Sequence, residues 1–370
     1  MARAAPLRDA SPGGGDRRRS AVGRRPTWRR DRPGPGAVSG GDAYARAGVS
    51  QRSADAAVAA LLESLRRIDP GRPSRLLVGA GHYASVVRLD ERTGLALSTD
   101  GVGTKLLVAE QLGRWDTVGI DCVAMNVNDL ICVGAEPIAM LDYIAVPQAD
   151  PEVMRELGVG LRAGAERARI EIPGGELAQL GEIVHGLDLV GACVGLVALD
   201  EIVDGSAIES GDPVIGLPSS GLHSNGYALA RRALEGIAMD DERLGRPLGE
   251  VLLEPTEIYV AAVIDLLGSA LEARGLAHIT SGGLGNLLRL NADIGYEIDS
   301  PLPPQPVFGL IQELAAVPDD EMREVFNMGC GFCCVIRAED EDAALELLRR
   351  HYPGAQRIGT ATERAGALII

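Results

Sequence analysis

The chain has 370 residues, 46% hydrophobic and 24% charged, which is enough apolar material for two ordinary domains with real cores. A formal net charge of −16 repels polyanions at long range and excludes broad nucleic-acid binding, while a small phosphate-bearing substrate stays compatible through local dipoles or a metal. No apolar run reaches the roughly 20 residues of a membrane span, and the arginine-rich start lacks the apolar segment of a secretory signal, so a cytoplasmic protein is expected.

Residues 1–42 are dominated by Pro, Gly, Ser and Arg, as in Arg17-Arg18-Arg19 and Pro33-Gly34-Pro35-Gly36. Too little apolar area is available there to offset the entropy of ordering, so a disordered extension is expected. Residues 53–67 are predicted as a helix, with Ser53 as N-cap and Ala57, Leu61, Leu62 and Leu65 on one face. A strand over 95–98 enters a turn at Asp100-Gly101-Val102-Gly103, and a helix follows over 105–112. Residues 118–133 are apolar apart from Asn126, Asn128 and Asp129 in the interior. A strand over 138–146, a helix over 151–168 and a buried strand over 189–199 complete a first set of elements. The second set opens with a strand at 212–217, then helices over 225–234 and 255–273. A glycine-rich stretch at 279–290, a strand over 331–336 and a helix over 340–351 close it. Asp, Gly and Ser interrupt the pattern near 200–212, which places two domains at 43–205 and 206–370.

Cys330 and Cys333 form a lone CxxC without the second pair or the histidines of a zinc site. They are read as small hydrophobic residues of a buried strand rather than as a redox pair.

Five segments carry polar chemistry. In 98–105 a strand runs into a carboxylate, two glycines, a hydroxyl and Lys105, the only lysine of the chain. Glycines let backbone amides approach phosphate oxygens and a lysine adds a compact charge; a plain turn has the same composition. In 120–130, Asp121, Asn128 and Asp129 lie in apolar surroundings, either as ligands of a hard cation or as caps at a helix end. Pro173-Gly174-Gly175-Glu176 reads as a tight turn presenting Glu176 to a cleft. Residues 219–227 crowd Ser219, Ser220, His223, Ser224 and Asn225 with two glycines at a strand-to-helix junction, a setting for phosphate or ribose. Residues 278–286 form a second glycine-rich junction, followed by Arg289.

In this order the segments TDGVGTK (99–105), GIDCVAMNVNDL (119–130), GAEP (134–137), SSGLHSNGY (219–227), LEPTEIY (253–259) and FNMG (326–329) resemble the aminoimidazole ribonucleotide synthetases, also called phosphoribosylformylglycinamidine cyclo-ligases. The resemblance runs from about residue 44 to the C-terminus. It implies an α/β (α+β) protein of two domains, the first contributing strands to a β-barrel shared in a homodimer. It also implies ATP-dependent ring closure of formylglycinamidine ribonucleotide to aminoimidazole ribonucleotide, with Mg²⁺ as the cation, in purine biosynthesis. Carried over by position, Asp100, Asp129 and Glu176 are the expected metal ligands. Gly79, Gly81, Gly101, Gly103, Thr104 and Lys105 are the expected nucleotide contacts, with Lys105 on phosphate. His223, Ser224 and Asn225 are expected on the substrate and in proton transfer, with Thr280, Gly282, Gly283 and Arg289 near its ribose phosphate.

The chain departs from the family pattern at Gly79-Ala80-Gly81-His82-Tyr83-Ala84 in the early glycine loop and at Leu177 and Gln179 after Glu176, with further differences at Leu222 and Ser281. Two other readings remain: another ATP-using enzyme of the superfamily, of the selenophosphate synthetase or thiamine-monophosphate kinase type, and a nucleotide-binding paralogue without catalysis. The absence of any cysteine before Cys122 speaks against the first type.

Overall fold

The computed structural model describes residues 51–370, so the expected disorder of 1–42 lies outside the described residues. The first half comprises α1 (Gln51–Leu65), β1 (Leu76–Val78), β2 (Ser85–Arg88), β3 (Thr93–Gly101), α2 (Leu106–Leu112) and α3 (Val118–Ile131). It continues with β4 (Glu136–Val146), α4 (Pro151–Ala168), β5 (Glu171–Gln179) and β6 (Asp188–Ala198). Its strands form one mixed sheet in the order β1-β2-β3-β6-β4-β5, antiparallel except for the parallel pair of β4 and β5. The second half holds β7 (Pro213–Pro218), α5 (Tyr227–Ala233), α6 (Leu248–Leu253), α7 (Val260–Leu267), β8 (Ala273–His278) and β9 (Gly295–Glu297). After these come α8 (Pro306–Ala315), α9 (Asp319–Val325), β10 (Cys330–Ile336), α10 (Glu341–His351), β11 (Gln356–Thr362) and β12 (Leu368–Ile369). Its sheet runs β12-β9-β11-β7-β10-β8. Both sheets are mixed and carry helices, which makes a two-domain α/β fold. Among the described residues neither sheet closes on itself, since each ends in two different edge strands.

α3 is the central element of the first half. Val118, Cys122, Val123, Val127, Leu130 and Ile131 are fully buried, covering both the sheet side and the α4 side. Burying each such side chain contributes about 1.5–3 kcal/mol against leaving it in water. The close approach of α3 to α4 requires glycine: a Cβ on Gly119 would sit 2.3 Å from the Leu161 backbone nitrogen. α4 itself starts where Asp150 accepts a hydrogen bond from the Glu152 N–H at 2.8 Å, with Pro151 in the first turn.

Two expectations about local structure are corrected. The region 255–273 is one helix only over Val260–Leu267; the chain turns at Gly268 and re-enters the sheet as β8. Apolar density alone cannot separate a short buried helix and strand from one long helix. Residues 173–176 are not a turn but the middle of β5, paired with β4 through Leu141 to Gly174 and Tyr143 to Glu176. A Gly-Gly pair serves there because the Asp142 side chain covers Gly175, where a Cβ would meet Asp142 Oδ1 at 2.2 Å.

Candidate active site

The end of β3 is held by a side chain from α3. The Asp100 N–H donates to Asn126 Oδ1 at 3.0 Å, and Asn126 Nδ2 donates to the carbonyls of Asp100 (3.1 Å) and Cys122 (2.8 Å). Gly191 on β6 leaves the space for this amide, since a Cβ would lie 2.5 Å from Asn126 Nδ2. The Asp100 carboxylate then turns back to accept from the Gly101 N–H at 2.7 Å. Burial, and after it the charge of nearby Asp129, push the Asp100 carboxyl up to about 6. Asp129, one helical turn past Asn126, has its Oδ1 2.9 Å from His278 Nδ1 at the end of β8.

Two neighbouring carboxylates in a partly buried setting repel, and a cation relieves that repulsion. Among the described residues no three His, Cys, Asp or Glu side chains converge closely enough to cage a metal. A cation held here would take the rest of its shell from water and phosphate, the habit of Mg²⁺. Asp100 and Asp129 therefore fit Mg²⁺ as a pair.

Glu176 does not join them. Across the sheet Asp100 is in register with Gly191, Gly191 with Asp142, and Asp142 with Gly175, so these positions share the face that α3 covers. Glu176 is one residue on and belongs with Tyr143 on the opposite face. The expectation of Glu176 as a third ligand beside Asp100 is corrected on that ground. The carboxylate on the Asp100 face is Asp142, a residue that sequence reasoning missed. Its only signal was a charge interrupting the apolar strand 138–146.

Lys105 is corrected as well. It is 0% exposed, and its Nζ lies 2.8 Å from both carboxylate oxygens of Asp121. It donates further to the carbonyls of His223 (3.2 Å) and Glu254 (2.6 Å). Burial lowers the ammonium's pKa and Asp121 works against that shift. Asp121 Oδ1 also accepts from the Thr256 N–H (2.7 Å), the Thr256 hydroxyl (2.6 Å) and the Ser224 hydroxyl (3.3 Å). The lone lysine thus ties α3 to the 219–227 and 253–259 segments of the second half, with no open side left for phosphate. Ser224 belongs to the same knot rather than to substrate. Asp121 is an internal ion-pair partner, and Asn128 an internal bridge from Nδ2 to the Glu257 carbonyl (2.8 Å) and from Oδ1 to the Tyr259 N–H (3.0 Å).

The remaining expected residues come together across the two halves. The loop 79–84, with Gly81 at φ +118, is gripped by Arg289, which donates to the carbonyls of Gly81 (3.3 Å) and His82 (2.9 Å). The Arg289 guanidinium stacks 4.2 Å from the Tyr83 ring centre, and the Tyr83 hydroxyl donates to the Asn286 carbonyl at 2.9 Å. Arg289 thus clamps the glycine loop while its side chain remains exposed, a contact that the sequence did not suggest. Asn286 Oδ1 accepts from the Thr280 N–H at 2.8 Å, shaping the turn through Gly282 and Gly283, both at positive φ. A Cβ on Gly283 would strike the Arg323 carbonyl at 2.0 Å. Gly103 and Thr104 are exposed beside Asp100. His223, at φ 60, is buried with Nε2 accepting from the Ser220 N–H at 3.2 Å, which leaves the proton on Nδ1. Burial lowers its pKa well below the usual value, so the ring is neutral. His223 Nδ1 and Asn225 Nδ2 are left without partners at this junction. His278 and Thr256 were missed; both stood in quoted motifs as polar residues without an assigned role.

Comparisons with known proteins give the family of the chain. Residues 81–197 match the AIR synthase related protein, N-terminal domain, and residues 209–370 match the C-terminal domain of the same family. The phosphoribosylformylglycinamidine cyclo-ligase of Methanothermobacter thermautotrophicus is 47% identical over 327 residues, 87% of this chain and 94% of that protein. The cyclo-ligase of Pyrococcus furiosus is 46% identical over 329 residues, 88% and 97% respectively. In fold, the chain is similar to the hydrogenase maturation protein HypE in complex with ATP, with TM-score 0.57, 18% identity, and 76% and 83% of the two chains covered. Thiamine monophosphate kinase from Aquifex aeolicus gives TM-score 0.57 at 18% identity, covering 85% and 96%. With both family domains matched in order and relatives alike over nearly their full length, the chain belongs to the AIR synthase family.

Proposed function

We propose that the protein is a phosphoribosylformylglycinamidine cyclo-ligase, closing the imidazole ring of aminoimidazole ribonucleotide at the expense of ATP in purine biosynthesis. The observation that carries this reading is the likeness of 46–47% to cyclo-ligases over nearly their whole length. In the reaction, the amide oxygen of formylglycinamidine ribonucleotide attacks the γ-phosphorus and ADP leaves. The substrate's own amine then attacks the activated carbon, the ring closes and phosphate departs. Both steps depend on positioning and charge neutralisation more than on a covalent enzyme intermediate.

The residues support this division of labour. Asp100 and Asp129 would hold Mg²⁺, which when bound neutralises charge on the transferring phosphate. Gly101, Gly103 and Thr104 with loop 79–84 line the nucleotide side, and the first domain, 43–205, carries it. The neutral His223 offers an Nδ1–H and Asn225 an amide to the substrate, with Thr280, Gly282 and Gly283 beside them in the second domain, 206–370. Product aminoimidazole, read as a coloured diazo adduct, is expected to appear in step with ADP when the purified protein receives formylglycinamidine ribonucleotide, ATP and Mg²⁺. ATP bound without product would move the protein to a relative with another acceptor.

A homodimer through the first sheet is part of the proposal. The face opposite α3 exposes Leu97 (39%), Leu141 (52%) and Tyr143 (42%), with Leu97 and Leu141 lining a hollow of about 650 Å³ together with Ala139, Pro173 and Val194. An apolar sheet face of this kind calls for a partner, and two copies of the open sheet meeting on it would form the shared barrel. Sedimentation is expected to give a dimer, and Leu141→Arg a monomer; a monomeric wild type would overturn this part. Among the described residues no helix is long and apolar enough to cross a membrane, and a cytoplasmic location goes with the proposed pathway.

A further inference from the structure

The structure assigns to His278 the role of a positioning residue that aims the Asp129 carboxylate from the opposite half of the molecule. This rests on the reading of Asp129 as a Mg²⁺ ligand.

The geometry is that of a ligand and its orienting imidazole. Asp129 rides on α3, whose neighbouring polar residues are all committed elsewhere: Asn126 to Asp100, Asn128 to Glu257 and Tyr259. Asp129 reaches the second half through its Oδ1, which lies 2.9 Å from His278 Nδ1. His278 is 0% exposed, and its ring is stacked on Phe332 with centroids 6.4 Å apart. The ring therefore has no freedom to follow the carboxylate; the carboxylate follows the ring. Nδ1 donates to the Asp129 carboxylate, and Nε2 is buried without a partner. Such outer partners fix which oxygen of a carboxylate is presented to a metal, and their loss costs about 10–100-fold in metal affinity.

The placement has a consequence for the reaction. His278 is the last residue of β8, and the chain passes directly from it into Thr280 and the Gly282–Gly283 turn proposed for substrate. A shift of that turn moves the imidazole and hence a carboxylate on the nucleotide side. The two half-sites thereby share one hydrogen bond.

The test titrates Mn²⁺ into the full-length protein with ATP and without formylglycinamidine ribonucleotide, reading free Mn²⁺ by electron paramagnetic resonance. His278→Phe keeps a ring against Phe332 but removes the donor, and is expected to weaken Mn²⁺ about 10–100-fold, whereas His278→Asn, whose amide nitrogen replaces Nδ1, stays within about 3-fold. His278→Gln places its amide near Nε2 instead and is expected to behave like the phenylalanine variant. If His278→Phe does not fold, the Asn and Gln variants carry the comparison, and equal Mn²⁺ affinities in those two would overturn the inference. Asp129→Asn is the control. Its loss of Mn²⁺ binding with His278→Phe unaffected would sink the positioning role alone, while wild-type binding in Asp129→Asn would sink the ligand reading on which it rests.

Discussion

Replacing Lys105 with alanine is expected to destabilise the protein by about 3–5 kcal/mol, because it leaves the Asp121 carboxylate buried without its cation. Asp121 is 0% exposed and its Oδ1 still has to serve Thr256 and Ser224 after the lysine is gone, but those are neutral donors. For a chain of this size the loss corresponds to a fall in melting temperature on the order of 10 °C. Thermal unfolding followed by circular dichroism measures it. The double variant Lys105→Met with Asp121→Asn is expected to recover part of the loss, since removing both charges also removes their desolvation cost. A Lys105→Ala protein that melts like wild type and only binds ATP less well would return the lysine to a phosphate role.

Asp100→Asn and Asp129→Asn are each expected to lower turnover about 10²–10³-fold, the range seen when one preorganised electrostatic contact to a transferring group is lost. Steady-state ADP release measures this. Stability should move the other way for Asp100. Its folded-state pKa of about 6 lies above the ordinary carboxylate value, so the charged form opposes folding once the pH exceeds that of a free aspartate. At pH 7 and without metal, Asp100→Asn is therefore expected to melt higher than wild type while turning over far more slowly. A variant that gains stability and loses activity marks a residue kept for function; equal losses in both would make Asp100 structural.

Much of the architecture was legible in order along the chain. The helices over 105–112, 151–168 and 340–351, and the strands over 138–146, 189–199 and 331–336, follow from apolar periodicity and the residues that stop it. Each is long, strongly patterned and bounded by Gly, Pro or Asp. The family resemblance was carried by short ordered segments whose glycines and carboxylates keep their spacing. Asp100, Asp129 and Asn225 lie within those segments.

Other questions were decided only by contacts between distant parts. Lys105 beside a glycine turn has the local look of a phosphate ligand, and only the packing of 219–227 and 253–259 over it turns it into an internal ion pair. Arg289 likewise points where a loop more than 200 residues earlier happens to lie. Glu176 and Asp142 show the limit most directly. Which of two carboxylates shares a face with Asp100 depends on strand register, because side chains alternate and a slip of one residue exchanges the faces. Register is set by how β4, β5 and β6 pair, a property of three segments at once. Composition, segment order and family were determined by the sequence by itself, since they depend on residues near one another in the chain. The faces, partners and burial of the charged groups came from the tertiary structure, since a charge inside a protein is defined by what the fold brings within a few ångströms of it.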